Sequence, residues 1–515
     1  MTTSKSAGNV AKLRSIVNVK DPAWGAKGDA STNDTAALYN AVQSDAQEIW
    51  IPAGTYMVEP TTSRTDPVLG ETVRCAMLMK ANQTITLDPA ATIRSIAWVN
   101  GSANDEGGTQ IVGLSVDNVR VRGGTLQGNW VPAGSYVGRD PSSQHGIHIA
   151  TSTNATIEGV KAKEFWADGF TVSFWADQSN CNNSLNVNFI NCIGDNCGRN
   201  GLSGVGWVGG SIIGGQYSNT VGPGPFNSPL AGIDLEISTA SSLNGGAGTS
   251  QIKDIRIVGV RTTGNKYGIN MIGSHTNINC RVANVTITGC EIDEGIILNG
   301  DSTSVSCIHN TITGNVIKRN ILDESGVARS GIFLDNVQWN TISGNRLFDC
   351  LKHGIEIDAD SHHNHITGNG IIAVSQTATN TYSGIYVAGD YNHIVGNSCR
   401  KDGSSNKAKY GIEVVAGATE NKVLVNDLYL GGNTANYIDG GTNTLFLGGG
   451  GATAGLLEMG ASTDFQLGKA LVALGGGAAP TLGTVGGSGP GAAGQNSWAR
   501  MVDSSGTAFW VPVWK

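Results

Sequence analysis

G-I-F-L-D-N-V-Q-W-N-T-I-S-G-N, residues 331–345, is the stretch that decides the fold, because it joins two phrases that recur along the chain. The first phrase is Gly, apolar, any residue, apolar. Its intervals of 23 to 36 residues are typical of a solenoid, in which each repeat forms one coil. Ten glycines begin a copy, the weakest being G-L-S-G at Gly201: Gly146, Gly169, Gly201, Gly232, Gly268, Gly295, Gly331, Gly354, Gly384 and Gly411.

The second phrase is Asn, any, apolar, any, Gly, Asn, and it lies at residues 310–315, 340–345, 364–369 and 392–397. Asn tolerates left-handed backbone at tight turns, and stacked Asn amides hydrogen-bond between coils. Each coil therefore holds at least two short strands, whose alternation points Ile and Val inward. We predict an all-β chain, a right-handed single-stranded parallel β-helix with coils about 4.8 Å apart. The rival fold, a β-sandwich, needs antiparallel hairpins about every 8–12 residues.

Composition agrees with this fold and excludes several functions. Gly is 73 of 515 residues and charged residues are 14%, which suits stacked strands and tight turns rather than helices. A net charge of −8 argues against a nucleic-acid partner, which requires a basic face. No segment reaches about 18 consecutive apolar residues, so we expect no membrane insertion. The polar start, residues 1–11, lacks the apolar core of a classical signal peptide.

Cysteine and histidine spacing predicts no metal and no cofactor. The nine cysteines are scattered and predict buried thiols, although Cys192 and Cys197 are close enough to leave a disulfide open. His362, His363 and His365 share one polar segment, which we interpret as a solvated turn.

The two ends of the solenoid are expected to differ. Asn33 and Asp34 precede a short amphipathic helix over residues 35–43 that would cap the first coil, and residues 49–56 read as strand, turn, strand. We divide the chain into an N-terminal arm (1–16), a cap with the first coils (17–125), a central β-helix (126–430) and a C-terminal region (431–515). That last region combines a Gly-rich linker with a Trp-rich hairpin for oligomer contacts.

The N-terminal part resembles a known superfamily. V-N-V-K-D-P-A-W-G-A-K-G-D-A-S-T-N-D-T-A-A-L (residues 17–38) and I-P-A-G-T-Y (51–56) resemble the opening of pectate-lyase-like proteins found in phage tailspikes. The resemblance implies a β-helix, a homotrimer, and depolymerisation of a bacterial surface polysaccharide on a virion tail or elsewhere outside the cell. Tailspikes often carry a longer virion-binding domain than the 16 residues that precede the motif here.

Alignment of the coils on their glycines places a row of side chains on one outer wall. Positions one and three after Gly point inward, and positions two and four point outward. A-G-I-D-L-E-I (231–237) thereby puts Asp234 and Glu236 on the same face, with Cα atoms about 6.6 Å apart. Like charges at that distance raise one pKa, as an acid/base pair requires, and the spacing resembles that of inverting glycosidases. Asp168 lies two coils earlier, about 9.6 Å along the axis.

The same motif is similar to the G-I-D-x-E stretch of phage-type β-helix depolymerases. An exposed acidic strand or a structural cation site is the alternative interpretation of the pair. A second acidic group, Asp335, Glu356 and Asp358, is our second choice for catalysis. Asp335 and Asp358 share a column one coil apart, at about 4.8 Å, which is nearer the retaining distance; a solvated face is the alternative there.

Aromatic and imidazole side chains near the first pair predict a sugar-binding cleft. Aromatic faces stack on the C–H faces of sugar rings, although core packing is the alternative for any single Trp. The predicted substrate-binding residues are His145, His148, Trp166, Trp175, Trp207 and Tyr136.

Three functions remain open on the sequence alone. In a glycoside hydrolase, Asp234 and Glu236 would share the acid and base roles in either order, with assistance from Asp168. A polysaccharide lyase would need a base and a cation beside a uronic carboxylate, and the wall near the pair is poor in Lys and Arg. A non-enzymatic glycan-binding fibre is the third possibility.

Overall fold

The computed structural model describes residues 15–60, 63–65, 72–96, 108–129, 144–176, 181–220, 229–237, 250–273, 281–300, 307–318, 329–401, 407–447, 497–502 and 508–513. The chain divides into two units, Met1–Leu457 and Glu458–Lys515. In the described residues, the first unit is built from three long sheets whose strands come from successive coils, together with one helix, α1 (Thr35–Val42).

The glycine phrases form the first sheet, called the wall sheet below, which is parallel except at its first pair of strands. Its strands within the described ranges are β5 (Ser63–Thr65), β6 (Thr72–Leu78), β9 (Thr109–Leu114), β12 (Ile147–Ala150), β15 (Phe170–Ser173), β20 (Leu202–Gly204), β23 (Ala231–Glu236), β26 (Tyr267–Gly273), β30 (Ile296–Gly300), β34 (Ile332–Asp335), β37 (Ile355–Ile357), β40 (Ile385–Val387), β43 (Tyr410–Val414) and β45 (Ala435–Asp439).

The asparagine phrases lead into the second sheet, called the turn sheet below. Its described strands are β1 (Ile16–Asn18), β3 (Glu48–Ile51), β7 (Thr84–Leu87), β10 (Arg120–Arg122), β13 (Thr156–Glu158), β18 (Ser184–Ile190), β21 (Trp207–Ile213), β24 (Ile252–Val258), β27 (Val282–Ala283), β28 (Thr286–Thr288), β31 (Cys307–Ile308), β32 (Thr311–Thr313), β35 (Thr341–Ser343), β38 (His365–Thr367), β41 (His393–Val395), β44 (Lys422–Leu424) and β46 (Leu445–Leu447).

The third sheet closes each coil between the other two. Its described strands are β2 (Asp29–Asn33), β4 (Gly54–Val58), β8 (Ala91–Ser95), β11 (Thr125–Gln127), β14 (Lys161–Lys163), β19 (Ile193–Asp195), β22 (Gln216–Ser218), β25 (Arg261–Thr263), β29 (Glu291–Ile292), β33 (Val316–Lys318), β36 (Arg346–Phe348), β39 (Gly370–Ile372) and β42 (Ser398–Arg400). Two antiparallel pairs stand outside these sheets: β16 (Trp175–Ala176) with β17 (Cys181–Asn182), and β47 (Ser497–Val502) with β48 (Ala508–Val513).

The glycine alignment is confirmed residue by residue. The ten apolar side chains that follow the glycines are register partners from coil to coil, and each is fully buried: Ile147, Phe170, Leu202, Ile233, Ile269, Ile296, Ile332, Ile355, Ile385 and Ile412. Glycine is required because the coils approach closely. A Cβ on Gly232 would lie 2.8 Å from the carbonyl oxygen of Gly268, and one on Gly384 would lie 2.5 Å from that of Gly411.

The asparagine phrases form two buried ladders, as predicted. In one ladder the Nδ2 of Asn315 donates to Oδ1 of Asn345 at 2.9 Å, and Asn345 donates to Asn369 at 3.0 Å. The backbone N–H of each Asn donates to the same oxygen of the next coil, as from Asn345 to Asn369 at 3.0 Å. The ladders therefore satisfy buried polar groups at the turns, which would otherwise destabilise the core.

At the ends, the expected helix and hairpin are present, whereas most of the expected N-terminal arm and the Gly-rich linker lie outside the described residues. Helix α1 buries Leu38, Ala41 and Val42 against the first coils, as predicted. The coils extend past residue 430, because Leu445–Leu447 still pairs with Lys422–Leu424, so the predicted end of the central β-helix lies too early. The terminal hairpin is present as β47 and β48.

The cysteines whose side chains the structure describes are buried thiols, so the disulfide left open between Cys192 and Cys197 is not formed.

Candidate active site

The wall sheet positions Asp234 and Glu236 on adjacent outward positions of β23. Register places Asp234 between Ser203 of the preceding coil and Asn270 of the next. Asp234 is 1% exposed, whereas Glu236 is partly exposed. The Nδ2 of Asn270 donates to Oδ1 of Asp234 at 2.9 Å. The pair therefore combines one shielded carboxyl group with one that solvent reaches.

Burial and mutual repulsion favour the protonated form of this pair. Burial, followed by the nearby Glu236, raises the pKa of Asp234 well above its ordinary value. Burial also raises the pKa of Glu236, while the Arg199 guanidinium opposes that rise. The arrangement favours retention of a proton by Asp234 and has a second carboxyl group beside it, which suits general acid–base chemistry.

Asp168 behaves differently because it is paired. Arg199 donates from Nε to one of its oxygens at 2.9 Å and from Nη2 to the other at 2.5 Å. The backbone N–H of Asn200 and the hydroxyl of Thr171 donate to it at 3.1 Å each, and His145 Nδ1 lies at 3.3 Å. Burial alone would raise the pKa of Asp168, but Arg199 and these donors hold it well below its usual range. Asp168 is thus an ionised anchor for Arg199.

Arg199 is the functional residue that the sequence reading missed, and it corrects the view that the wall near the pair lacks cations. Its charge acts on Asp168, Asp234 and Glu236 alike. It stands two positions before Gly201, whereas the sequence reading sampled one position before each glycine and the second and fourth after it. Reading the second position before each glycine would have found it.

The two predicted histidines meet beside this group. The ring centroids of His145 and His148 are 5.4 Å apart in an edge-to-face arrangement. His148 Nε2 lies 2.7 Å from the Ser173 hydroxyl, and His145 Nδ1 lies 2.9 Å from that of Thr171. Burial, followed by the neighbouring His145, lowers the pKa of His148 to about 3. A neutral His148 therefore serves as a hydrogen-bonding group and not as a cation.

The structure separates the predicted aromatic residues. Trp207 is fully buried in the core, edge-to-face with Phe189 at 5.8 Å, so its predicted role in the cleft is wrong. The side chain of Trp207 points inward from β21, an orientation that the sequence pattern does not determine. Trp166 is partly buried in the coil of Asp168. The backbone of Trp175 lies in β16, but its side chain and the whole of Tyr136 lie outside the described residues.

In the second acidic group, Glu356 forms an ion pair, whereas Asp335 and Asp358 form a pair of neighbouring carboxyl groups. Glu356 accepts from Lys352 Nζ at 2.6 Å and from the Ser330 hydroxyl at 2.5 Å, so its charge is already paired. Burial, followed by a hydrogen bond with Asp358, raises the pKa of Asp335 to about 6. Asp335 and Asp358 thus form the neighbouring pair expected from their shared column, about 14 Å along the axis from Asp234 by coil spacing.

Among the described residues, His, Cys, Asp and Glu side chains form no group of three or more that could hold a metal ion. No helix in the described ranges is long and apolar enough to cross a membrane.

Two family models match parts of the chain. One, described as rhamnogalacturonase A/epimerase, pectate lyase-like, matches residues 16–162. The other, described as periplasmic copper-binding protein (NosD), matches residues 227–446. A curated relative, an uncharacterized protein of Bacillus subtilis (strain 168) named YclG, is 25% identical over 339 residues, which is 62% of this chain and 51% of that protein. The chain thus matches about half the length of that relative.

Solved structures match over most of the coils. Pre-mature gene product 12 of bacteriophage phi29 gives a TM-score of 0.61 at 17% identity, covering 84% of this chain and 56% of that one. A mannuronan C-5 epimerase A-module of Azotobacter vinelandii gives 0.50 at 15% identity, covering 83% and 97%. The Dettilon tailspike protein gives 0.50 at 14% identity, covering 82% and 68%. The match to the pectate lyase-like model is confined to residues 16–162, and over the coils the solved structures share the parallel β-helix fold of this chain.

Proposed function

We propose that this protein depolymerises a bacterial surface polysaccharide by hydrolysis, with Asp234 and Glu236 as its acid/base pair. The observation that carries the proposal is the pair itself: two carboxyl groups on one face of β23, both with raised pKa, beside the Asp168–Arg199 ion pair. The tailspike and epimerase fold relatives support a polysaccharide as the substrate class.

The two carboxyl groups are assigned different roles by their surroundings. Asp234 is shielded from solvent and has the more strongly raised pKa, so it carries the proton and donates it to the glycosidic oxygen. Glu236 is partly exposed, and Arg199 opposes the rise of its pKa, so Glu236 activates the attacking water. Asp168 fixes Arg199, and His145 and the neutral His148 orient sugar hydroxyl groups. Trp166 contributes an aromatic surface in the same coil as Asp168.

The proposal is tested by incubating the protein with capsule, O-antigen and exopolysaccharide panels and analysing the products by mass spectrometry. We expect each cleavage to add one water molecule. Asp234→Asn and Glu236→Gln should each lower the rate about 100-fold or more, the usual size of a general acid–base contribution. Asp335→Asn is the matched control in the second acidic pair and should retain activity. Full activity of both Asp234→Asn and Glu236→Gln would refute the site.

Stereochemistry offers a separate test. The Cα atoms of the pair lie about 6.6 Å apart along one strand, which allows the carboxyl separation of about 6.5–9.5 Å used by inverting enzymes, so we expect inversion at the anomeric carbon. Proton NMR of the freshly released reducing end should show the anomer opposite to that of the cleaved bond. Release of the same anomer would indicate a retaining reaction.

Arg199 favours one alternative, a polysaccharide lyase, because a cation beside acidic residues could neutralise a uronic carboxylate. Both oxygens of Asp168 already engage Arg199, which leaves less of its charge for a substrate. Products that absorb ultraviolet light as unsaturated uronides, without addition of water, would establish the lyase reaction in place of hydrolysis.

We further propose that the protein works as a homotrimer outside the bacterial cell, on a virion tail or free. The tailspike among its fold relatives supports this assembly. Light scattering in solution should give about three times the 53.3 kDa mass of the chain. A monomer mass at micromolar concentration would contradict it.

A further inference from the structure

One turn position carries an unusual run of aromatic residues. It lies two residues before the first of the turn-sheet residues that are register partners from coil to coil. Its backbone is left-handed in coil after coil. Asn and Asp fill it along much of the β-helix, since their short side chains tolerate this conformation. Among the described residues, these are Asn82, Asn118, Asn154, Asn186, Asp254, Asn284 and Asn443.

Five consecutive coils depart from Asn and Asp at this position, with His309, Trp339, His363, Tyr391 and Glu420, and the middle three carry rings that stack on one another. Trp339, His363 and Tyr391 occupy the position with φ of 59°, 57° and 55°. Left-handed backbone costs a non-glycine residue of order 1–2 kcal/mol, and bulky side chains are exceptional there. Glu420 keeps the same conformation without a ring, so the backbone alone does not call for aromatic residues, and it is their mutual stacking that sets the three rings apart.

The rings of Trp339, His363 and Tyr391, called the staircase below, stack on one another from coil to coil. Trp339 and His363 stack with centroids 4.3 Å apart, and His363 and Tyr391 with centroids 5.0 Å apart. His363 is stacked against both neighbours, whereas Trp339 and Tyr391, at the two ends of the stack, remain 47% and 48% exposed and offer aromatic surface to a ligand.

Polar groups border the staircase, and they include Asp390, whose carboxyl oxygen lies 4.0 Å from Nδ1 of His362. His365 and His393 lie two positions further along the same coils, edge-to-face at 4.8 Å. Burial lowers the pKa of both His363 and His393, which keeps these rings neutral at pH 7. His362 accepts a hydrogen bond from the backbone of Asp390 at 3.2 Å. Aromatic surface beside hydrogen-bonding groups fits a sugar, and the acidic side chains of Asp390 and Glu420 nearby disfavour an anionic one, so the surface fits a neutral sugar best.

We propose that Trp339, His363 and Tyr391 form a second, non-catalytic binding site for neutral hexopyranose units of a polysaccharide. The site lies at the corner where the wall sheet turns into the turn sheet, starting three coils beyond Asp234, about 14 Å along the axis. The choice of a polysaccharide rests on the proposed function, but the site needs no chemistry at Asp234. It would hold one part of a long chain while another part reaches the acid pair.

The test measures binding without turnover. The double variant Asp234→Asn/Glu236→Gln is passed over immobilised dextran, mannan, galactan and β-glucan, with polygalacturonate as the anionic comparison. We expect retention on at least one neutral polymer and weaker retention on polygalacturonate. Adding Trp339→Asn or Tyr391→Asn should weaken the affinity at least about fivefold. Tyr429→Ala, which removes a tyrosine that is 50% exposed outside the staircase, is the matched control and should bind normally.

The choice of Asn separates binding from a purely structural stack. Asn is the residue that other coils use at this position, so Trp339→Asn should keep or raise the melting temperature while binding falls. A lower melting temperature with unchanged affinity would show a structural stack and overturn the proposal, as would retention on none of the neutral polymers. If the wild type cuts no glycan but Trp339→Asn still loses retention, the proposed function fails and this binding site stands.

Discussion

At the scale of single residues, the pKa values of three carboxyl groups within two coils of one another are shifted in opposite directions by their neighbours. Asp168 is as buried as Asp234, yet bidentate pairing with Arg199 keeps it ionised. Asp234 accepts from one neutral amide and faces Glu236, so it prefers its proton. Burial therefore does not set the charge state alone; the partner does.

This difference predicts a pH-dependent gain in stability from Asp234→Asn. A carboxyl group whose folded pKa is raised stabilises the fold at low pH and loses that contribution as the pH rises through the folded value. The amide cannot ionise and still offers an oxygen to Asn270. We expect Asp234→Asn to be more stable than the wild type at pH 8, with a clearly smaller gain at pH 5.

Thermal unfolding at the two pH values measures that gain. The exposed Glu158→Gln should show no such difference between them. An equal gain at pH 5 and pH 8 would mean that ionisation of Asp234 is not its cause.

Single residues also show which parts of the site could be predicted from the sequence and which could not. Asp234 and Glu236 were found because alternation around a fixed glycine decides which side chains face outward. Trp207 was misplaced because it lies in a turn-sheet strand, for which the glycine phrase supplies no register. The ion pair of Asp168 with Arg199 joins residues 31 positions apart, and only the path of the intervening coil brings them together.

At the scale of elements, the asparagine ladders supply hydrogen bonds to buried polar groups at the coil corners, where strand pairing does not reach. Asn345 alone donates to the backbone oxygen of Ile312 and to Asn369, and it accepts from both the backbone and the side chain of Asn315. Its loss leaves several buried polar groups without partners.

We expect Asn345→Ala to lower the free energy of unfolding by about 2–4 kcal/mol, since each unsatisfied buried group costs of order 1–3 kcal/mol. Denaturant unfolding followed by circular dichroism measures the change. Asn188→Ala, a partly exposed Asn whose amide reaches only Asn186 and Ser211 in the contacts described, should cost under about 1 kcal/mol. Equal losses for the two variants would show that the ladder adds nothing beyond an ordinary surface amide.

At the scale of the whole molecule, the acid pair and the aromatic staircase occupy different coils of one continuous surface. A polymer that contacts both must extend at least about 14 Å along the axis. We therefore expect kcat/KM to rise with oligosaccharide length until both sites are filled, and Trp339→Asn to remove only the gain found with long chains. Kinetics on a length-fractionated series measures this, with Tyr429→Ala as control. A length dependence unchanged by Trp339→Asn would assign it to subsites beside Asp234.

The glycine column has a consequence for how such proteins change over time. Next to Gly232 and Gly384 there is no space for a single methyl group, so the cross-section of the coil is fixed at that point. The distance along the sequence between glycines nevertheless varies from 23 to 36 residues. Insertions can therefore accumulate at the coil corners without shifting the register of the strands on either side. New specificities can be grafted onto this scaffold by exchanging corner segments while every glycine stays in place.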